Sequence, residues 1–112
     1  MPEIAYTVTA RCDSEQTLRS YVEWLTSGHI QAVLRGGATR ARVIRSADAD
    51  DPRRVEVRYD FPTQEAFETY VADHAPALRA EGLERFGPGS GVEFVRSLGR
   101  IEADLAAKSA NI

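Results

Sequence analysis

At 112 residues, with 43% hydrophobic and 28% charged side chains, the chain has the size and composition of one soluble globular domain. A net charge of −3 and a pI near 5.4 exclude a global basic field that would draw it to nucleic acid or to an anionic membrane. Cys12 is the single cysteine, which excludes an intrachain disulfide and any cysteine-rich metal site.

Residues 3–11 alternate: Ile4, Tyr6, Val8 and Ala10 share one face, and Ala5, Thr7, Thr9 and Arg11 the other. This period predicts a half-buried strand. Glu3 followed by this alternation does not resemble a signal peptide, and no apolar run approaches membrane length, so a cytoplasmic protein is expected. Asp13 reads as a helix N-cap with Gln16 as its capping-box partner. Leu18, Tyr21, Val22 and Leu25 then form a helical stripe that Gly28 stops. A short helical piece, 29–34, carries Ile30, Val33 and Leu34, and Gly36-Gly37 ends it.

Residues 38–46 predict a second strand, with Ala41 and Val43 opposite Arg40, Arg42 and Ile44. An acidic loop, 46–52, leads to the clearest strand, 54–61. There Val55, Val57, Tyr59 and Phe61 oppose Arg54, Glu56, Arg58 and Asp60. Pro62-Thr63 opens a helix striped by Phe67, Tyr70, Val71 and His74. Proline disfavours the α conformation in the residue before it, so the chain breaks at Ala75-Pro76 and restarts as a second piece ending at Phe86. The Gly87–Gly91 loop lacks the Gly-Lys-Ser/Thr ending of a phosphate-binding loop and is read as a turn. Residues 92–99 form the fourth strand, with Val92, Phe94 and Leu98 on one face, and 101–112 is a weakly amphipathic tail.

The order β-α-β-β-α-β predicts an α+β, ferredoxin-like domain over residues 1–100, built on a four-stranded antiparallel sheet. The stretches 14–22 and 63–71 echo each other, as the pseudo-twofold symmetry of that plan requires. Two helical segments cover one sheet face only. The other face, carrying Thr7, Thr9, Arg42, Ile44, Glu56, Arg58, Val95 and Ser97, is either solvated or closed on a second copy.

Two segments carry a family likeness. One is Tyr70, His74-Ala75-Pro76, Leu78-Arg79-Ala80, Gly82 and Arg85-Phe86-Gly87; the other is Trp24-Leu25, His29 through Leu34, and Gly37. Together they resemble the signature of an uncharacterised, domain-of-unknown-function family of the dimeric α/β-barrel superfamily, over roughly residues 4–98. That family often sets a bulky aromatic after the glycine where this chain has Gly37-Ala38. The resemblance implies a homodimer whose sheets face each other as a dimeric α/β barrel. Superfamily members include cofactor-independent monooxygenases, lactone isomerases, polyketide cyclases and haem-binding proteins, so chemistry is not fixed by fold.

His29 is the candidate catalytic residue. It reads either as a general acid/base or ligand contact at a pocket mouth, or as a histidine satisfying backbone groups at a helix junction. His74 reads either as a ligand contact or as a buried side chain donating to a carbonyl freed by the kink. Arg42, Arg58 and Glu56 form either a cross-strand ion network or the polar wall of a barrel that holds an anion. The expected site is a cavity near Trp24, reached by His29, with Arg42 or Arg58 at its polar end. No metal and no cofactor are expected: the two histidines show neither HxH nor HxxxH spacing. RNA binding is not expected, because the strand aromatics Tyr59 and Phe61 share the face the helices cover. The functional expectation is binding of a small aromatic or polar organic molecule in the pocket of a dimeric barrel. The alternative is a cofactor-independent monooxygenase, isomerase or cyclase on an aromatic or polyketide-like substrate, and the sequence leaves open whether the chain is an enzyme.

Overall fold

The computed structural model describes residues 3–108; residues 109–112 of the expected tail lie outside the described residues. Strand β1, Ile4–Cys12, buries Ile4, Tyr6, Ala10 and Cys12 by its period-2 pattern. Helix α1, Glu15–Trp24, is capped one residue later than expected. The Asp13 backbone N–H is taken by the Gly91 carbonyl at 2.8 Å, so Ser14 becomes the cap and its Oγ accepts from the Thr17 N–H at 3.1 Å.

Gly28 ends the first helical run as expected, because Ser27 and Gly28 both leave helical dihedrals there. Residues Leu25–His29 make a wide π turn in which Gly28 takes φ 146°, a conformation that disfavours any side chain, and the chain resumes as α2, Ile30–Arg35. Strand β2, Arg40–Arg45, and strand β3, Arg54–Phe61, follow as expected. Helix α3, Gln64–Asp73, ends at His74, and α4, Ala75–Phe86, begins with Pro76 in its first turn. Strand β4, Val92–Arg100, closes the fold, and residues 101–108 have no regular secondary structure.

The four strands form one antiparallel sheet in the order β2-β3-β1-β4. Register aligns Ala41, Tyr59, Tyr6 and Leu98 across the sheet, then Val43, Val57, Val8 and Arg96. This is the face the helices cover; Phe61, Val55 and Val57 on it, with Leu25 and Val33 packed onto it from the helices, are the largest fully enclosed side chains among the described residues. Leu98 shares that face by register yet stays 57% exposed, because β4 is the sheet edge. The opposite face aligns Arg42, Arg58, Thr7 and Ser97, then Ile44, Glu56, Thr9 and Val95, as the alternation predicts.

Candidate functional site

An aromatic cavity opens between the covered face of the sheet and the helices. Tyr6, Val8, Val57, Tyr59, Phe94 and Arg96 rise from the sheet; Tyr21, Trp24, Leu25 and His29 come from α1 and the π turn; Tyr70, Leu78, Arg79, Gly82 and Leu83 complete the wall. Its volume is about 110 Å³. An engineered cavity of about 150 Å³ takes up benzene, so the space is on the scale of one ring.

Ring contacts fix these walls. The Trp24 indole stacks on the His29 imidazole with centroids 4.1 Å apart and 23° between planes. Tyr21 stacks on Trp24 at 6.2 Å and meets Phe94 edge-on at 5.7 Å. Tyr6 lies between Tyr59 and Tyr70 at 6.1 and 6.4 Å. Rings that brace one another in this way hold their shape without a ligand.

The electrostatics follow from burial. His29 is half-buried, and desolvation lowers its pKa, so the neutral imidazole is favoured. Its Nδ1 is enclosed and has no hydrogen-bond partner among the described residues. Burial raises the phenols of Tyr21 and Tyr59 and pushes Tyr70 up to about 12, against the pull of the Arg79 and Arg96 guanidiniums. The tyrosines are therefore protonated at neutral pH. A neutral imidazole can accept or relay a proton, and the guanidiniums can hold an oxyanion.

The cavity brings together His29 and Trp24 of the residues singled out from the sequence. Arg42, Arg58 and Glu56 lie on the other face of the sheet, because their positions alternate with the covered ones; there Arg58 pairs with Glu56 at 3.5 Å. The cations at the cavity mouth are instead Arg79 and Arg96. His74 is exposed, not buried, and no side-chain hydrogen bond from it to a freed carbonyl is present among the described residues. The backbone bonds run through the bend: His74 N–H donates to the Tyr70 carbonyl at 2.9 Å and Leu78 N–H to the His74 carbonyl at 3.3 Å. Its ring packs outside the cavity, parallel to Tyr70 at 6.4 Å. Arg96 was legible from the alternation of Val92, Phe94 and Leu98, which puts residue 96 on the covered face. The four tyrosines read from sequence as core, and Arg79 carried no signal beyond its place in the family motif. Among the described residues, no cluster of three His, Cys, Asp or Glu side chains could hold a metal, and no helix is long and apolar enough to cross a membrane.

Sheet order, helix placement and cavity together define a ferredoxin-like α+β domain. The chain belongs to the family described as a domain of unknown function, DUF4286, whose pattern matches residues 3–98. No curated protein matches it. Among solved structures it is similar to a Streptomyces coelicolor monooxygenase, ActVA-Orf6, in complex with nanaomycin D, with TM-score 0.72, 19% identity and coverage of 95% of this chain and 93% of that one. It is also similar to SnoaB, a cofactor-independent oxygenase of Streptomyces nogalater, with TM-score 0.65, 13% identity and coverage of 96% and 100%. A dimeric ferredoxin-like protein from an uncultured marine organism gives TM-score 0.67 at 14% identity, covering 94% and 100%. Identities this low establish a shared fold and nothing about chemistry.

Proposed function

We propose that this chain binds a small organic molecule bearing at least one aromatic ring, in the cavity between its helices and its sheet, as a homodimer packed sheet to sheet. The carrying observation is the cavity itself, where six aromatic side chains and His29 surround a space the size of one ring. Side chains facing a void forfeit dispersion contacts, and a ring placed there restores them. The dimeric marine neighbour supports the assembly. A single unpaired cysteine fits a reducing compartment, which supports a cytoplasmic location.

A second reading rests on the His29 imidazole, which lines the cavity and is favoured in its neutral form. Such a base could take the proton of a bound phenol. A phenol and dioxygen then give a quinone and water without a cofactor, and the two oxygenase neighbours support this as the alternative. Proton movement by the same group would serve an isomerase or cyclase.

The test is a fluorescence titration of Trp24, the only tryptophan, with phenol, benzamide and benzoate. Saturable quenching by at least one is expected, and Gly82→Leu should abolish it. A side chain at Gly82 starts 3.5 Å from the Trp24 ring and extends into the cavity. No saturable change with any probe overturns the binding reading. Dioxygen uptake with a bound phenol, lost in His29→Ala, would favour the enzyme over the binding module.

A further inference from the structure

Resting on that ligand-binding reading, the cavity's hydrogen-bonding inventory narrows what the ligand is. Arg79, Arg96 and the Trp24 indole can only donate. No Asp or Glu lines the cavity. No side-chain hydrogen bond among the described residues involves Tyr6, Tyr21, Tyr59 or Tyr70. All four tyrosine residues are buried, yet none of their hydroxyl oxygens is among the enclosed atoms without a partner, so the hydroxyls stay accessible and free to donate. The site is therefore rich in donors and short of acceptors.

Both cations of the lining border the same cavity. Arg79 comes from α4 and Arg96 from β4, so the cavity has a guanidinium on its helix side and another on its sheet side. Neither takes part in an ion pair among the described residues. Arg96 instead lies over the Phe94 ring, 6.0 Å from its centroid. Two guanidiniums without a carboxylate partner on one cavity favour an anion among its ligands.

We propose that the ligand is an aromatic carboxylate. Its ring sits among Tyr6, Tyr21, Trp24 and Phe94, and its carboxylate is held by Arg79 and Arg96 beside the Tyr70 hydroxyl. A simple phenol does not satisfy this arrangement: with a pKa near 10 it is neutral at pH 7, whereas a carboxylate is charged and matches the guanidinium fork.

The experiment compares benzoate with benzamide, its uncharged isostere, by Trp24 fluorescence near neutral pH. It uses the wild type, Arg79→Gln, Arg96→Gln and the double variant. Both arginines are exposed, so glutamine leaves the fold intact, which an unchanged melting temperature verifies. Benzoate should bind the wild type about tenfold or more tightly than benzamide, the scale of a charge-assisted hydrogen bond. Each single variant should weaken benzoate and spare benzamide, and the double variant should bind the two alike. Equal binding of both probes by the wild type, or a benzoate preference that survives in the double variant, overturns the carboxylate proposal while the ligand site stands. Failure of both probes and of phenol to bind takes the site down as well.

Discussion

His29 stands with its ring against Trp24 and its Nδ1 enclosed without a partner, so its charge state is coupled to folding. Burial lowers its pKa from the ordinary 6.5. Between the folded and unfolded values, the unfolded chain binds more protons than the folded one, so stability rises with pH across that window. The His29 contribution is thus fully present above about pH 6.5 and is lost as pH falls through the folded-state value. His29→Gln should remove it: the urea midpoint of the wild type should drop relative to the variant's between about pH 7 and about pH 5. A constant difference across that range would sink the coupling. Cys12 is a contrasting case at the same scale. Burial raises its thiol pKa, which makes it a small core side chain rather than a nucleophile. His29 and Trp24 were legible because a glycine beside a histidine and a tryptophan at a helix end mark a junction. The tyrosines were not, since strand and helix periodicity assigns a phenol to the core without saying whether its hydroxyl meets protein or a void.

Two interrupted helices shape the site, and their interruptions have different physical origins. The break before α4 was legible because proline acts locally, on its own N–H and on the residue before it. The kink at Gly28 was legible too, because glycine alone takes φ 146° without strain; the Ile30 N–H bond to the Leu25 carbonyl across the kink was not, since it depends on how the two helical pieces pack. The two helical pairs meet where Gly36 ends α2. A methyl group there would come within 3.0 Å of the His74 Cγ and 3.1 Å of the Tyr70 Cδ1. Gly36→Ala should therefore destabilise the fold by about 1–3 kcal/mol, the usual cost of overpacking. Adding His74→Ala should recover part of that loss, because it removes the nearer neighbour. A double-mutant cycle that shows simple additivity would mean that His74 is not the residue Gly36 makes room for. This close approach gives His74 a structural reason to stand where it does, at the bend and outside the cavity.

At the scale of the whole molecule, the uncovered sheet face demands a partner or a solvent explanation. A compact 12.4 kDa subunit should expose about 6,100 Å², whereas this one exposes 7386 Å². Its radius of gyration of 15.3 Å likewise exceeds the roughly 13 Å of a compact chain this long. Part of the excess is the tail, where Leu105 is 91% exposed, and part is the sheet face. That face mixes Thr7, Thr9 and Ser97 with Ile44 and a 59% exposed Val95, and its Arg58–Glu56 pair answers some of its own charge. The strand pattern made the division into two faces legible, but it could not say which face held the cavity. Both faces carry arginines, and only the three-dimensional placement of α4 brings Arg79 to the cavity that Arg96 also lines. A stable dimer needs about 800 Å² from each copy, an area comparable to one face of such a sheet. Light scattering at micromolar concentration should therefore give about twice the 12.4 kDa subunit mass. Val95→Arg, which places a charge where the two sheets would meet, should weaken association by about tenfold or more, since a desolvated unpaired charge is costly. The subunit fold should survive, because Val95 contributes nothing to the core beneath the helices. A wild type that scatters as about 12 kDa at that concentration would end the sheet-to-sheet dimer, and the open face would then be an ordinary solvated one.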